Sequence, residues 1–186
     1  LLEYSDVSLQ ETGSGFSISF DGSDADIVIG KDLIIYDLLP NRDDRWLSPE
    51  IRKWISGNSC EAQSRFWLSV IDAANAISHI AKAELKVEGI HMCGRREWSS
   101  KDSRAEFDML WQRTNQGITG NFTTETLFGH DIAGMEAKPI THVDAKRPDL
   151  DPLHDILLQL TGDGWRPLIP LRTALMTLIA GIVDVN

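Results

Sequence analysis

Alternation of apolar and polar residues dominates the first part of the chain. In the stretch "FSISF", apolar side chains alternate with serines, and this period of two is typical of a half-buried strand. Turns rich in Asp, Gly and Ser separate it from two further apolar runs. The three runs are residues 16–20, 27–29 and 33–36. We therefore predict a three-stranded antiparallel meander, in which Phe16, Ile18 and Phe20 share one face.

The middle of the chain changes to a helical period. The sequence "SPE" at 48–50 combines a capping hydroxyl, a proline suited to the first turn and an acid that favours the helix dipole. A first helix is predicted from this point to Gly57. A second, longer helix is predicted from Asn58, as its N-cap, to about Ala83. The face that this helix should turn to the core contains Phe66, Val70, Ala74, Ile77 and Ala81.

The second half of the chain predicts further strands and two more helices. "LKVEGIHMC" has a strand pattern, Ser103 is predicted to cap a helix that Gly117 ends, and Pro170 is predicted to open the last helix. Between these helices we expect a strand or hairpin over 118–128 and a turn-rich loop over 129–152.

The last helix, 171–183, is apolar almost all round. Such a helix either inserts centrally, between the sheet and the long helix, or is covered by another chain. We favour a partner, and expect a homo-oligomer, because a C-terminal element is easily reached by a second molecule. The candidate interaction residues are Trp165, Leu171, Leu175, Leu178 and Ile182. Trp46 and Trp98 are further candidates for exposed tryptophans.

The composition is that of one globular domain over residues 1–186. Of its residues, 42% are hydrophobic and 25% are charged, and the formal net charge is −10. That charge repels phosphate backbones and disfavours nucleic acid as a partner. The exception is a local basic cluster beside Trp98, which could meet an anionic partner. The cluster consists of Arg95, Arg96, Lys101 and Arg104.

No stretch predicts a membrane span, because the best candidate, 173–183, has only eleven uncharged residues. The two cysteines, Cys60 and Cys93, are too few for a disulfide framework. The sequence also begins without a basic-then-apolar leader. We therefore favour an intracellular location, although the sequence does not specify a compartment.

The segment "TGSGFSISFDGSDADIVIG" has two interpretations. Gly13 and Ser14, then nine residues, then Asp24 and Asp26 before an aliphatic run resemble the nucleotidyltransferase superfamily. This resemblance implies a Gly-Ser turn that holds a triphosphate and two carboxylates that hold Mg²⁺, with Glu88 as a third carboxylate. The alternative is a β-hairpin with a solvated acidic turn.

The predicted fold class is α+β, with an N-terminal antiparallel sheet, a central helix pair, further strands and an apolar C-terminal helix. Because no complete catalytic site is evident, the leading function is a non-catalytic protein-interaction or self-assembly module without a cofactor. A structural protein, viral or otherwise, and an adaptor or immunity protein would both fit. The alternative function is a Mg²⁺-dependent nucleotidyltransferase-like enzyme that uses Asp24 and Asp26.

Overall fold

Helices and short strands alternate along the chain, in agreement with the predicted α+β class. The structure is a computed structural model and describes residues 15–20, 24–58, 63–119 and 146–183. The strands are β1 Ile18–Ser19, β2 Ile27–Val28, β3 Leu33–Ile35, β4 Leu38–Leu39, β5 Leu68–Ser69 and β6 Ile90–Met92. The helices are α1 Pro49–Ile55, α2 Val70–Lys82, α3 Ser100–Thr119, α4 Asp151–Thr161 and α5 Leu171–Val183.

The prediction of an antiparallel N-terminal meander is wrong, because β1 and β2 pair in parallel. The Asp26 carboxylate accepts hydrogen bonds from the backbone N and Oγ of Ser17, at 3.0 and 3.1 Å. These bonds place the start of β2 beside the start of β1, whereas a hairpin would place it beside the end of β1. Phe16 and Ile18 pack against the core as expected, but Phe20 is 47% exposed.

The other strands also pair in parallel, β3 with β6 and β4 with β5. Asp37 lies between β3 and β4 with φ of 51°, a left-handed conformation that is uncommon for a residue other than glycine. Its carboxylate accepts from the backbone N of Phe66 at 2.7 Å, and its carbonyl accepts from that of Leu68 at 3.0 Å. These bonds hold the bend at which the chain changes its strand partner from β6 to β5.

The first helix of the predicted central pair is confirmed, and the second begins later than predicted. Ser48 Oγ caps α1 by accepting from Ile51 N at 3.2 Å. Helix α2 begins after Ser69, which caps it by accepting from Ile71 N at 3.2 Å. Residues 65–69 are instead extended, because they bridge to Trp98 and pair with β4. Residues 59–62 lie outside the described part of the chain.

Two clusters of buried side chains form the core. The first lies between the strands, α2 and α4, and α2 contributes Ala73, Ala76, Ile77 and Ile80 to it. The predicted core face of α2 is therefore rotated, because Val70, Ala74 and Ala81 are only half-buried. The second cluster joins α1, α3 and α5.

Helix α5 is covered by its own chain and packs mainly on α3. Gly181 lets it pass close to the Asn41 carbonyl, where a Cβ atom would collide with the backbone. Helix α3 begins at Ser100 and passes Gly117, so both of its predicted ends are wrong. The strand or hairpin predicted over 118–128 is wrong at residues 118–119, which continue α3, and the loop predicted over 129–152 is wrong at residues 151–152, which begin α4. Residues 120–145 lie outside the described part of the chain.

Candidate functional site

The Asp-x-Asp pair lies in the crossover between β1 and β2. Asp26 forms an ion pair with Lys86 Nζ at 2.7 Å, in addition to its bonds with Ser17. Lys86 and Ser17 together hold the pKa of Asp26 below its usual value. Asp26 therefore connects the start of β1 to the segment after α2, which is a structural role for this carboxylate.

The remaining parts of the nucleotidyltransferase resemblance are not brought together in the described residues. Asp24 and Glu88 are exposed, and Gly13 and Ser14 lie outside the described part. Within the described ranges, no group of three His, Cys, Asp or Glu side chains could hold a metal ion. The Mg²⁺-dependent alternative thus stays a hypothesis that metal binding must test.

The predicted basic cluster divides into side chains with different partners. The guanidinium of Arg104 binds both carboxylate oxygens of Asp108, at 2.7 and 2.8 Å, so this charge is neutralised within α3. Arg96 stacks on Trp98 with its guanidinium 4.1 Å from the ring centre. Arg95 and Lys101 are exposed, and binding of an anionic partner here stays a prediction.

The five residues predicted as an interaction surface are buried inside the chain. Leu175 and Leu178 have no exposed area, and Leu171, Ile182 and Trp165 are 6%, 9% and 4% exposed. The Trp165 indole also donates to the Cys93 carbonyl at 3.0 Å. The structure therefore buries the last helix within its own chain, but mainly against α3, with β4 and β5 beside it, and not in the predicted position between the sheet and the long helix.

A large apolar groove lies between the β3–β4 segment and α2, with a volume of about 510 Å³. We call it the groove throughout. Val70 and Ala74 line it from α2 and are half-buried, so the side chains of the described residues leave space above them. Its apolar walls are Ile34, Leu38, Trp67, Val70, Ala74 and Ile77.

Two half-exposed aromatic side chains stand at the mouth of the groove. Phe20 and Trp46 are 47% and 44% exposed, and their ring centres lie 5.8 Å apart. The Arg45 guanidinium lies over the Trp46 ring at 4.7 Å. The Asp44 carboxylate restrains the backbone at Trp46, because it accepts a hydrogen bond from Trp46 N at 2.8 Å. The apolar surface of the groove therefore extends outward at its mouth.

One polar cluster interrupts the apolar lining. Arg65 donates from Nη1 to Asp37 at 3.1 Å and from Nε to Glu50 at 3.2 Å. Asp37 and Arg65 line the groove, and Glu50 lies behind them, 6% exposed. Burial raises the pKa of Glu50, although the Arg65 charge opposes that shift. With both acids ionised, the cluster carries one negative charge in excess.

The described side chains that line the groove offer mainly apolar contacts to a ligand. The hydroxyl in its lining, Ser48, is engaged as the cap of α1. The described thiol, Cys93, is fully buried, and burial raises its pKa to about 11, so it is a protonated core residue and not a nucleophile. What the lining offers a ligand is apolar area, aromatic rings and one charged pair.

Sequence reasoning found the exposed Trp46 but not the groove. Arg65 and Trp67 fell within the predicted second helix, and Asp37 is not part of any sequence motif that we recognised. The available signal was the apolar stripe of Val70, Ala74 and Ile77, which we assigned to the core because a sequence does not show which apolar face stays uncovered.

Comparison with protein-family models, with curated proteins and with solved structures found no match to this chain. The function must therefore be argued from the site itself. Across the described ranges, no helix is both long and apolar enough to cross a membrane.

Proposed function

We propose that this chain is a non-catalytic protein-interaction module, and that its groove receives an apolar segment of a partner protein. The observation that carries the proposal is the groove of about 510 Å³ with its open, aromatic mouth. That volume lies within the range of roughly 300–1,000 Å³ that specific binding sites occupy. One aliphatic or aromatic side chain of the partner would enter it, and neighbouring side chains of the same segment would fill the remaining space.

The mouth favours a protein segment over a small ligand that is fully enclosed. Phe20 and Trp46 present their rings outside the cavity, so an occupant that covers them must extend beyond it. Tryptophan is enriched among the residues that dominate binding energy in interfaces. Asp44 holds the Trp46 backbone before binding, which lowers the entropy lost when the ring is covered.

The charges select among possible segments. With both acids ionised, the cluster of Asp37, Glu50 and Arg65 has one negative charge in excess. An acidic segment would meet repulsion, whereas a neutral or basic one would not. We therefore expect an apolar anchor with a basic residue nearby.

Selection from a random displayed-peptide library tests the proposal. Wild-type protein should enrich peptides with a large apolar residue beside Lys or Arg. Ala74→Phe should abolish their binding, because the new ring occupies the groove. Ala105→Phe is the matched control, because Ala105 is an exposed alanine on α3. Isothermal calorimetry with synthetic peptides measures both affinities.

The proposal also requires the aromatic mouth. Trp46→Ala should weaken peptide binding by at least about tenfold, as expected for a lost aromatic anchor. Selected peptides that bind Ala74→Phe as tightly as wild type would place the binding surface elsewhere. Failure to enrich any peptide over the Ala74→Phe background would remove the grounds for the proposal.

A further inference from the structure

Leu168 is the most exposed large apolar side chain in the described part of the chain, with 69% of its surface in water. It lies in the segment without regular secondary structure between α4 and α5, with Pro167 directly before it and Pro170 two residues after it. The other exposed leucines of the described residues are less exposed: Leu158, on a helix surface, is 45% exposed and Leu85 is 37% exposed. We call residues 166–168 the knob.

The knob is held in place by a buried carboxylate. Asp72 of α2 is 8% exposed and accepts hydrogen bonds from the backbone N of Leu168 and of Ile169, both at 3.0 Å. The prolines on either side further restrict the backbone. The backbone of such a segment therefore loses little conformational freedom when its apolar side chain is bound.

The knob and the groove lie on opposite sides of α2. Each residue of a helix turns the direction of its side chain by about 100°. Asp72, which anchors the knob, is two residues from Val70 and from Ala74, which line the groove. The two directions therefore differ by roughly 160°, measured the shorter way round. One chain cannot place its own knob in its own groove.

We propose that the knob of one copy enters the groove of a second copy, so that the chain assembles head to tail. This inference rests on the proposed function of the groove and names its partner. A contact between two different surfaces leaves one free knob and one free groove at the ends, so it propagates into a ring or a filament. It does not form a twofold-symmetric dimer.

Local charge supports this occupant, and its attraction must exceed the overall repulsion between two copies that each have a formal net charge of −10. Arg166 is exposed in the knob, two residues before Leu168. The groove cluster of Asp37, Arg65 and Glu50 has one negative charge in excess. Leu168 in the groove brings Arg166 towards that cluster, which is the apolar-and-basic combination that the groove selects. The knob is small, so the contact is of the weak class that buries less than roughly 1,200 Å².

Two complementary variants test the assembly. Leu168→Asp removes the knob and keeps the groove, while Ala74→Phe fills the groove and keeps the knob. In sedimentation velocity between about 10 μM and 1 mM, the range for contacts of this class, wild type should form oligomers that grow with concentration. Each variant alone should stay monomeric, with association weakened at least about tenfold. An equimolar mixture should form a dimer and nothing larger.

Two control variants distinguish this contact from non-specific hydrophobic association. Leu158→Asp removes another exposed leucine, and Ala105→Phe adds a ring on an exposed helix surface; both should assemble as wild type does. Circular dichroism checks that each variant is folded. If Ala74→Phe does not fold, Trp46→Asp at the mouth takes its place in the mixture.

Three results would overturn the inference: a wild type that stays monomeric up to 1 mM, Leu168→Asp oligomers of wild-type size, or a mixture without the dimer. The peptide experiment keeps this failure distinct from failure of the groove itself. If library peptides bind Leu168→Asp and wild type equally while wild type stays monomeric, the groove serves another protein and only the self-assembly is wrong.

Discussion

Replacing Leu178 with alanine tests whether α5 is part of the core of a single chain. Leu178 has no exposed area and belongs to the cluster of α1, α3 and α5. Leucine-to-alanine changes at buried sites lower the free energy of unfolding by about 2–5 kcal/mol, because transfer energy is lost and a cavity remains. We expect about 3 kcal/mol here, since α3, β4 and β5, which pack on α5, limit the collapse of the site.

That loss is large enough to measure without abolishing the fold. Domains are stable by roughly 5–15 kcal/mol, and at this chain length 1 kcal/mol shifts the melting temperature by about 2–4 °C. Leu178→Ala should therefore melt roughly 6–12 °C below wild type. Urea unfolding followed by circular dichroism and tryptophan fluorescence gives the free energy directly.

Met176 provides the control on the same helix. It is 54% exposed, two residues from Leu178, so Met176→Ala should change the free energy of unfolding by no more than about 0.5 kcal/mol. The reasoning is refuted if Leu178→Ala unfolds like wild type. If it also sediments as a smaller species, α5 faces a second chain and our earlier preference for a partner on this helix is right.

Two further predictions concern titratable groups. Because Lys86 and Ser17 lower the pKa of Asp26, this carboxylate stabilises the fold above its unfolded pKa, and that contribution is lost as the pH falls through the lower, folded pKa. The free energy of unfolding of Asp26→Asn should therefore be lower than that of wild type at neutral pH, and the difference between the two should shrink as the pH is lowered. Micromolar binding of Mn²⁺ that Asp26→Asn abolishes would instead support the nucleotidyltransferase-like alternative. Burial raises the pKa of Cys93 to about 11. In a Cys60→Ser variant, Cys93 should therefore not react with Ellman's reagent at pH 8 until urea unfolds the chain. Rapid labelling of the folded protein would contradict the burial of Cys93.

Local signals in the sequence predicted the helices best. The cap at Ser48 and the opening of α5 after Pro170 were both correct, because capping involves only residues within one turn. Strand pairing was wrong because it depends on contacts that no local pattern contains. The parallel order of β1 and β2 follows from the bonds of Asp26 with Ser17 and Lys86, and Lys86 is 60 residues further along the chain.

The same distinction explains the candidate site. Hydrophobicity identified the apolar stripe on α2 but not which part of it would be covered. Position 74 carries an alanine above the groove, and whether an alanine is packed or left open is decided by the elements opposite. Those elements are positioned by the bend at Asp37, whose unusual φ depends on bonds to Phe66 and Leu68. Tertiary contacts therefore create the groove.

An open apolar groove and an exposed leucine each work against the stability and solubility of a chain. Apolar area left in water forgoes about 25 cal/mol for each Å², and exposed apolar patches promote association. Either feature alone is ordinary on a protein surface. In this chain the groove and the exposed Leu168 lie on two sides of α2. On one side, the buried Asp72 holds the backbone of Leu168; on the other, the small side chain of Ala74 leaves space in the groove. A contact between copies gives both features one physical reason, because each then covers the other.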